Sequence, residues 1–314
     1  MPKISACVIV KNEEKNLPRW LDSVKRIAEE IVVVDTGSAD ATVTIAKAAG
    51  AKVYHFVWID DFAAAKNFAL EKATGAWVVF PDADEYFSAE DAPKVTSWIR
   101  RVHEDERVMG LLCRCVNLEA DGTVRNTILQ VRVFRRLTDL RYRGAVHESL
   151  SYTGAGSPDL RFMTDVCLYH TGYAAGLIRG KMERNLALLL RRREAGDAAY
   201  IADCYYGLGD FARTEQYARE AIRSGVRLVG RETRPHGLLI QSLIAMGRPL
   251  AEVLDAVEKA RQEYPMVGDF SVLGGLGAER AGAYPLAEGY FRQGVDCYAR
   301  GEGASAELFR ADDR

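Results

Sequence analysis

The sequence predicts an α/β unit with a mixed, mainly parallel sheet, followed by an all-α unit built from repeats. Three observations carry this. Short apolar, β-branched runs at Ile4–Val10, Ile31–Val34, Lys52–Phe56 and Trp77–Phe80 are separated by helical patterns such as Leu17–Ala28 and Ala41–Ala49. Continuous apolar strands alternating with helices mark a parallel sheet covered on both faces. After residue 107 the period changes: Val108–Asn117 and Ile128–Phe134 flank Asp121-Gly122, a turn signal that predicts an antiparallel piece. From about Gly176 the chain is helical throughout, and Gly209-Asp210-Phe211, Gly247-Arg248-Pro249 and Gly282-Ala283-Tyr284 recur at spacings of 38 and 35 residues. That is close to the tetratricopeptide period of about 34. Ala218, Ala221 and Ile222, and likewise Ala287, Tyr290 and Phe291, fall where the second helix of such a repeat packs, and Pro265 ends a segment. The expected domains are therefore 1–175 and 176–314.

Composition narrows the function. The chain has 314 residues and a net charge of −2, with 22 Lys+Arg against 24 Asp+Glu in residues 1–175 and 20 against 20 in 176–314. Neither half has the basic excess of a nucleic-acid binder. No run approaches the roughly 18 uncharged apolar residues of a membrane span. Met1-Pro2-Lys3 leads directly into a strand rather than a signal peptide, so a cytoplasmic protein without an integral membrane segment is expected. Six cysteines, at 7, 113, 115, 167, 204 and 297, form no CxxC pair. Buried reduced thiols are expected rather than zinc ligands or disulfides.

The chemistry gathers at strand ends. Trp77–Phe80 runs into Pro81-Asp82-Ala83-Asp84-Glu85, which puts carboxylates at the carboxyl edge of a parallel sheet, where open α/β folds bind ligands. Crowded carboxylates repel one another unless a cation lies between them, and oxygen ligands suit Mg²⁺ or Mn²⁺, which would also hold a diphosphate. Asp35 ends a second strand, where it can accept hydrogen bonds from a base or ribose, and Ser38 or Asp40 caps the following helix. Lys11-Asn12-Glu13-Glu14 closes the first strand beside them. Lys66 and Asn67 stand one turn into the helix opened by Asp60-Asp61, where they could reach a nucleotide phosphate or base.

These segments, Val8–Glu14, Val32–Thr42, Asp60–Leu70 and Trp77–Glu85, together resemble the family 2 glycosyltransferases of the GT-A fold. The resemblance extends over about residues 3–172, with the motifs in the family's order, and is strongest to the bacterial subgroup with a tetratricopeptide tail. It implies that Asp35 holds the base, with uracil the family prior. It also implies that Asp82 contacts ribose or metal, that Asp84 is the metal ligand, and that Asn12 and Glu13 line the nucleotide pocket. Lys66 stands where the family often has Arg, which favours phosphate contact over bidentate base recognition. His170, in Cys167–Tyr173, resembles a C-terminal histidine that adds a metal ligand. Tyr142–Glu148 falls where the family carries its carboxylate base. The family's Glu-Asp is replaced here by His147-Glu148, so the base is open between Glu148, the first candidate, and His147. Inversion at the anomeric carbon is implied in the same way.

Arg132, Arg135, Arg136, Arg141 and Arg143 could meet a diphosphate or an acidic acceptor, although a solvated strand face is the simpler expectation. Arg191-Arg192-Arg193 suits a helix C-terminus. His55, His103 and His236 are given no role. The expected activity is transfer from a nucleotide sugar to a hydroxyl or thiol on a glycan, lipid or peptide. A peptide acceptor and a homodimer through the helical domain are both open. A nucleotidyltransferase would carry a glycine-rich loop after the first strand, and Lys11–Lys15 has no glycine. A non-catalytic nucleotide-binding adaptor is the remaining alternative, and the intact set Asp35, Asp82, Asp84 and Glu148 argues against it.

Overall fold

The structure, a computed structural model, describes residues 2–155, 157–171, 175–194, 196–226 and 231–300. Gly172 and Tyr173 of the segment ending the first domain lie outside them. The chain divides into two compact units between Leu177 and Ile178.

The first unit is built on an eight-stranded sheet. In chain order the strands and helices are β1 (Ile4–Val10), α1 (Leu17–Val24), β2 (Glu30–Asp35), α2 (Thr42–Ala48), β3 (Lys52–His55), α3 (Phe62–Lys72), β4 (Trp77–Val79), β5 (Glu85–Phe87), α4 (Asp91–Val102), β6 (Val108–Leu118) and β7 (Val124–Arg135). Then come β8 (Leu140–Arg143), β9 (Ser149–Tyr152) and β10 (Asp159–His170). The sheet order is β3-β2-β1-β4-β7-β6-β10-β5, and β8-β9 form a separate antiparallel pair. β3, β2, β1 and β4 run parallel, β7 is antiparallel to both neighbours, β10 is parallel to β6, and β5 is antiparallel to β10.

β1 is apolar except for Ser5 because both its faces are covered. Ala6, Val8 and Val10 meet Trp20, Leu21 and Ala46 of α1 and α2, whereas Cys7 packs with Ala69 and Leu70 of α3. A third cluster sets Ala92, Val95 and Ile99 of α4 against β6 and β10. Cys113 and Cys115 both lie in it, as their alternation predicts, and all six cysteines are free. α3 starts where Asp61 accepts from Ala64 N (2.9 Å), and α1 where Pro18 occupies the first turn.

One buried carboxylate ties the sheet's amino edge together. Glu30 accepts from Ser5 Oγ, from Thr74 N (2.8 Å) and Oγ1 (2.9 Å), and from Lys52 Nζ (2.7 Å). Burial alone would raise its pKa, but the bonds from Lys52, Ser5 and Thr74 outweigh that and lower it to about 2. A depressed folded pKa means stabilisation that is present above the ordinary carboxylate range and is lost as pH falls from about 4.5 toward 2. Glu30→Gln is expected to cost roughly 3 kcal/mol at neutral pH. In chemical denaturation the gap between wild type and variant should close below pH 4; a gap independent of pH would contradict this account.

Seven helices follow among the described residues, the first of them beginning just before the second unit: α5 (Ala175–Arg192), α6 (Asp197–Leu208), α7 (Phe211–Ser224), α8 (Arg234–Ala245), α9 (Leu250–Glu263), α10 (Gly268–Arg280) and α11 (Tyr284–Ala299). The three glycine turns have one geometry. Gly209, Gly247 and Gly282 are all left-handed, at φ 81°, 66° and 76°. The next residue's N–H reaches back five residues each time: Asp210 to Tyr205 O, Arg248 to Leu243 O and Ala283 to Ala278 O, at 2.9, 3.0 and 2.9 Å. This is the helix-ending bond that a left-handed glycine permits. Ala218, Ala221, Ala287 and Tyr290 are buried. α6–α7, α8–α9 and α10–α11 are thus helix hairpins of one kind, a tetratricopeptide-like array. Arg191 Nε donates to Ala187 O (3.2 Å) in the last turn of α5. Among the described residues no helix is long and apolar enough to cross a membrane.

Candidate active site

The site is built on the acidic turn that follows β4. Glu85 N donates to Asp82 O (2.9 Å) and Asp82 N to Glu85 Oε2 (2.8 Å), so Glu85 closes the turn. Trp20 Nε1 holds Pro81 O (3.2 Å) and Thr171 N holds Asp84 O (3.1 Å), which ties the turn to α1 and to the end of β10. The antiparallel pairing of β10 with β5 sets His170 opposite Glu85, and this brings His170 Nε2 to 3.3 Å from Asp84 Oδ2.

A row of side chains fixes that histidine. In the register of β10, β6 and β7, His170 lies opposite Asn117 and Asn117 opposite Asn126. His170 Nδ1 donates to Asn117 Oδ1 (2.7 Å), and Asn117 Nδ2 donates to Asn126 Oδ1 (2.6 Å). With the proton held on Nδ1, Nε2 faces Asp84. Neither asparagine is singled out by the sequence, because both stand near strand ends and meet only through the register of β6, β7 and β10.

Among the described residues no three His, Cys, Asp or Glu side chains converge on one ion position. Asp84 and His170 nevertheless suit one. Two ligands about 2.1 Å from an ion and at right angles to each other lie about 3 Å apart, near the observed separation. Ions of this kind usually take one or two carboxylates and complete their shell with phosphate oxygens and water.

A chain of alternating charges runs from the turn into the domain. Lys66 Nζ lies 2.8 Å from Asp82 Oδ1 and 2.7 Å from Glu148 Oε1. Arg132 Nη2 lies 2.6 Å from Asp82 Oδ2 and 2.7 Å from Glu85 Oε1. Burial opposes the charge on Lys66, yet Asp82 and Glu148 outweigh it and hold the ammonium above its ordinary pKa. Burial likewise pushes Asp82 upward, but Arg132 and Lys66 carry it well below the carboxylate range. Glu85 moves the other way, raised by burial and by Asp82 against the pull of Arg132. Burial also pushes Tyr142, whose ring lies beneath Lys66 at 5.1 Å, up to about 12.

Three sequence expectations change here. Lys66 was placed toward a nucleotide phosphate, but its side chain is only 2% exposed and turned inward, because it shares the buried stripe of Ala63, Ala69 and Leu70 on α3. Asn67 was placed at the nucleotide, but both ends of its amide engage the Tyr142 backbone, Nδ2 to Tyr142 O and Tyr142 N to Oδ1, each at 2.9 Å. It fastens β8 to α3. The arginines do not form one solvated face: Arg132 is largely enclosed, Arg135 donates to Val108 O, His103 O and Asp105 O, Arg136 to Gly75 O, and Arg141 to Leu137 O. Of the five, Arg136 and Arg143 are exposed.

The other candidates fall at the same carboxyl edge. Asp35 is buried, accepts from Ser38 N (3.0 Å) and Gly37 N (3.2 Å), and lies 3.3 Å from Nδ1 of His55, its register partner on β3. Asn12, at φ 56°, accepts from Ala39 N (2.8 Å), and Glu13 N donates to Thr42 Oγ1 (2.7 Å), so the β1 and β2 loops are bound together. Asp40 accepts from Thr42 N (3.0 Å) at the start of α2. His147 is exposed, at φ 55°, while Glu148 is largely enclosed.

Residues 5–147, most of the first unit, match the model of glycosyl transferase family 2. The chain is 32% identical over 239 residues to a TPR repeat-containing protein of Synechococcus elongatus, covering 72% of this chain and 58% of that protein. It is 31% identical over 191 residues to the prophage-derived glycosyltransferase SunS of Bacillus subtilis, covering 60% of this chain and 44% of SunS. The chain therefore spans about half the length of these relatives. Crystal structures of S. aureus TarS 1–349 are similar at 17% identity and a TM-score of 0.42, covering 96% of this chain and 92% of that one.

Proposed function

We propose that the protein is an inverting, metal-dependent glycosyltransferase that moves a sugar from a nucleoside diphosphate, UDP in the first instance, to a hydroxyl or thiol on a glycan, lipid or peptide. Residues 1–175 form the donor and catalytic unit, and residues 176–314 a repeat unit that binds the acceptor or a second copy. The observation that carries the reading is the Asp84–His170 pair at the carboxyl edge of a family 2 domain, with Glu148 enclosed and paired to Lys66. The six free cysteines suit the reducing cytoplasm.

In this mechanism Asp35 accepts from the base and Asp82 presents its open side to the ribose. A divalent ion, Mn²⁺ or Mg²⁺, held by Asp84 and His170 would supply positive charge to the leaving diphosphate. Glu148 takes the proton from the acceptor O–H or S–H. The freed lone pair forms the new bond to the anomeric carbon on the face opposite the diphosphate. The bond from that carbon to the phosphate oxygen breaks with its electron pair, releasing the nucleoside diphosphate. Release of UDP from UDP-glucose or UDP-N-acetylglucosamine in the presence of Mn²⁺ tests this. Turnover that requires the metal is expected, and none with any nucleotide sugar would contradict it.

A further inference from the structure

We propose that Lys66 is a positioning residue for Glu148: it holds the base in place from inside the domain and does not bind the donor. The inference rests on the assignment of Glu148 as the base.

Lys66 is fully enclosed, with aromatic rings of Tyr142 and Phe80 at 5.1 and 5.5 Å from its ammonium. An ammonium so placed has two carboxylate partners, Asp82 at 2.8 Å and Glu148 at 2.7 Å, and a side chain 2% exposed has no room to reach a phosphate in solvent. Glu148 follows a left-handed residue, His147 at φ 55°, in the loop between β8 and β9, a place where backbone alone gives little restraint. β8 itself is pinned to α3 by Asn67, the neighbour of Lys66. One turn of α3 thus sets both the strand that leads to Glu148 and the charge that orients its carboxylate.

The arrangement also links the two halves of the site. Asp82 touches the same ammonium as Glu148, and Arg132 touches Asp82. A general base works only within hydrogen-bond reach of its proton, and displacements of about 1 Å can cost two orders of magnitude. Lys66 supplies that restraint without touching donor or acceptor.

The test compares Lys66→Gln, Lys66→Met, Glu148→Gln and the Lys66→Gln/Glu148→Gln double variant. The readouts are UDP affinity in Mn²⁺ by calorimetry and UDP release from UDP-glucose and UDP-N-acetylglucosamine. Lys66→Gln is one atom shorter but keeps a hydrogen-bond donor, so it reports even where Lys66→Met does not fold. The expected result is a UDP Kd within about threefold of wild type and a donor KM nearly unchanged. The kcat should fall about 100-fold, and the double variant should be no slower than Glu148→Gln beyond about threefold. Residues acting through one another are non-additive in this way. A tenfold or greater loss of UDP affinity with kcat preserved would make Lys66 a donor ligand and overturn the inference, as would fully additive losses in kcat. Failure of the wild-type chain to bind UDP or release it would instead contradict the transferase reading itself.

Discussion

Asp84→Ala is expected to abolish metal-dependent nucleotide binding and to lower turnover by about a thousandfold. The magnitude follows from the several kcal/mol that a divalent ion contributes at a phosphate leaving group, with about 1.4 kcal/mol for each decade of rate. The fold should survive, because the substitution keeps the Asp84 carbonyl, which accepts from Thr171 N (3.1 Å) and Oγ1 (3.2 Å) and ties the turn to the end of β10. Unliganded melting should therefore stay within about 2 °C of wild type, while the increment due to UDP with Mn²⁺ disappears. Unchanged turnover in Asp84→Ala would remove the metal assignment.

Glu148→Gln has the second largest expected effect, a fall in kcat of about 10²–10⁴, the range that general bases contribute. Gln keeps the shape and can still accept from Lys66, so the loss belongs to proton transfer rather than to packing. UDP affinity in Mn²⁺ should be preserved, since nothing in the donor site is altered. His147→Ala separates the two candidates. His147 is exposed on a left-handed residue, and its substitution should change kcat by less than about tenfold. If His147→Ala were the slower of the two, the base would have to be reassigned.

The parts of the fold legible in the sequence were those whose signal is local. Apolar runs ending in Asp35 and in Asp82 marked strands with a functional edge, and the structure places those ends where parallel strands open onto ligands. Gly209, Gly247 and Gly282 announced the helix hairpins because a left-handed helix ending favours glycine. What escaped depends on register or on the facing of a single side chain. The contact of Asn117 with His170 exists only because β10 lies parallel beside β6 at one alignment, which no local pattern encodes. The inward turn of Lys66 was in principle visible from its place three residues after Ala63 and three before Ala69, on one helix stripe. Its charge argued the opposite way, and only the carboxylates of Asp82 and Glu148, 16 and 82 residues distant in sequence, reverse that argument.

The central claim is that the acidic edge after β4 binds a nucleoside diphosphate through a divalent ion. It is tested most directly by melting the wild-type chain with UDP, with Mn²⁺, and with both together. The account predicts that the pair at about a hundredfold excess over Kd stabilises by about 2.7 kcal/mol, raising the melting point by about 5–10 °C, and that either component alone has little effect. Stabilisation by no nucleoside diphosphate, with or without metal, would contradict it.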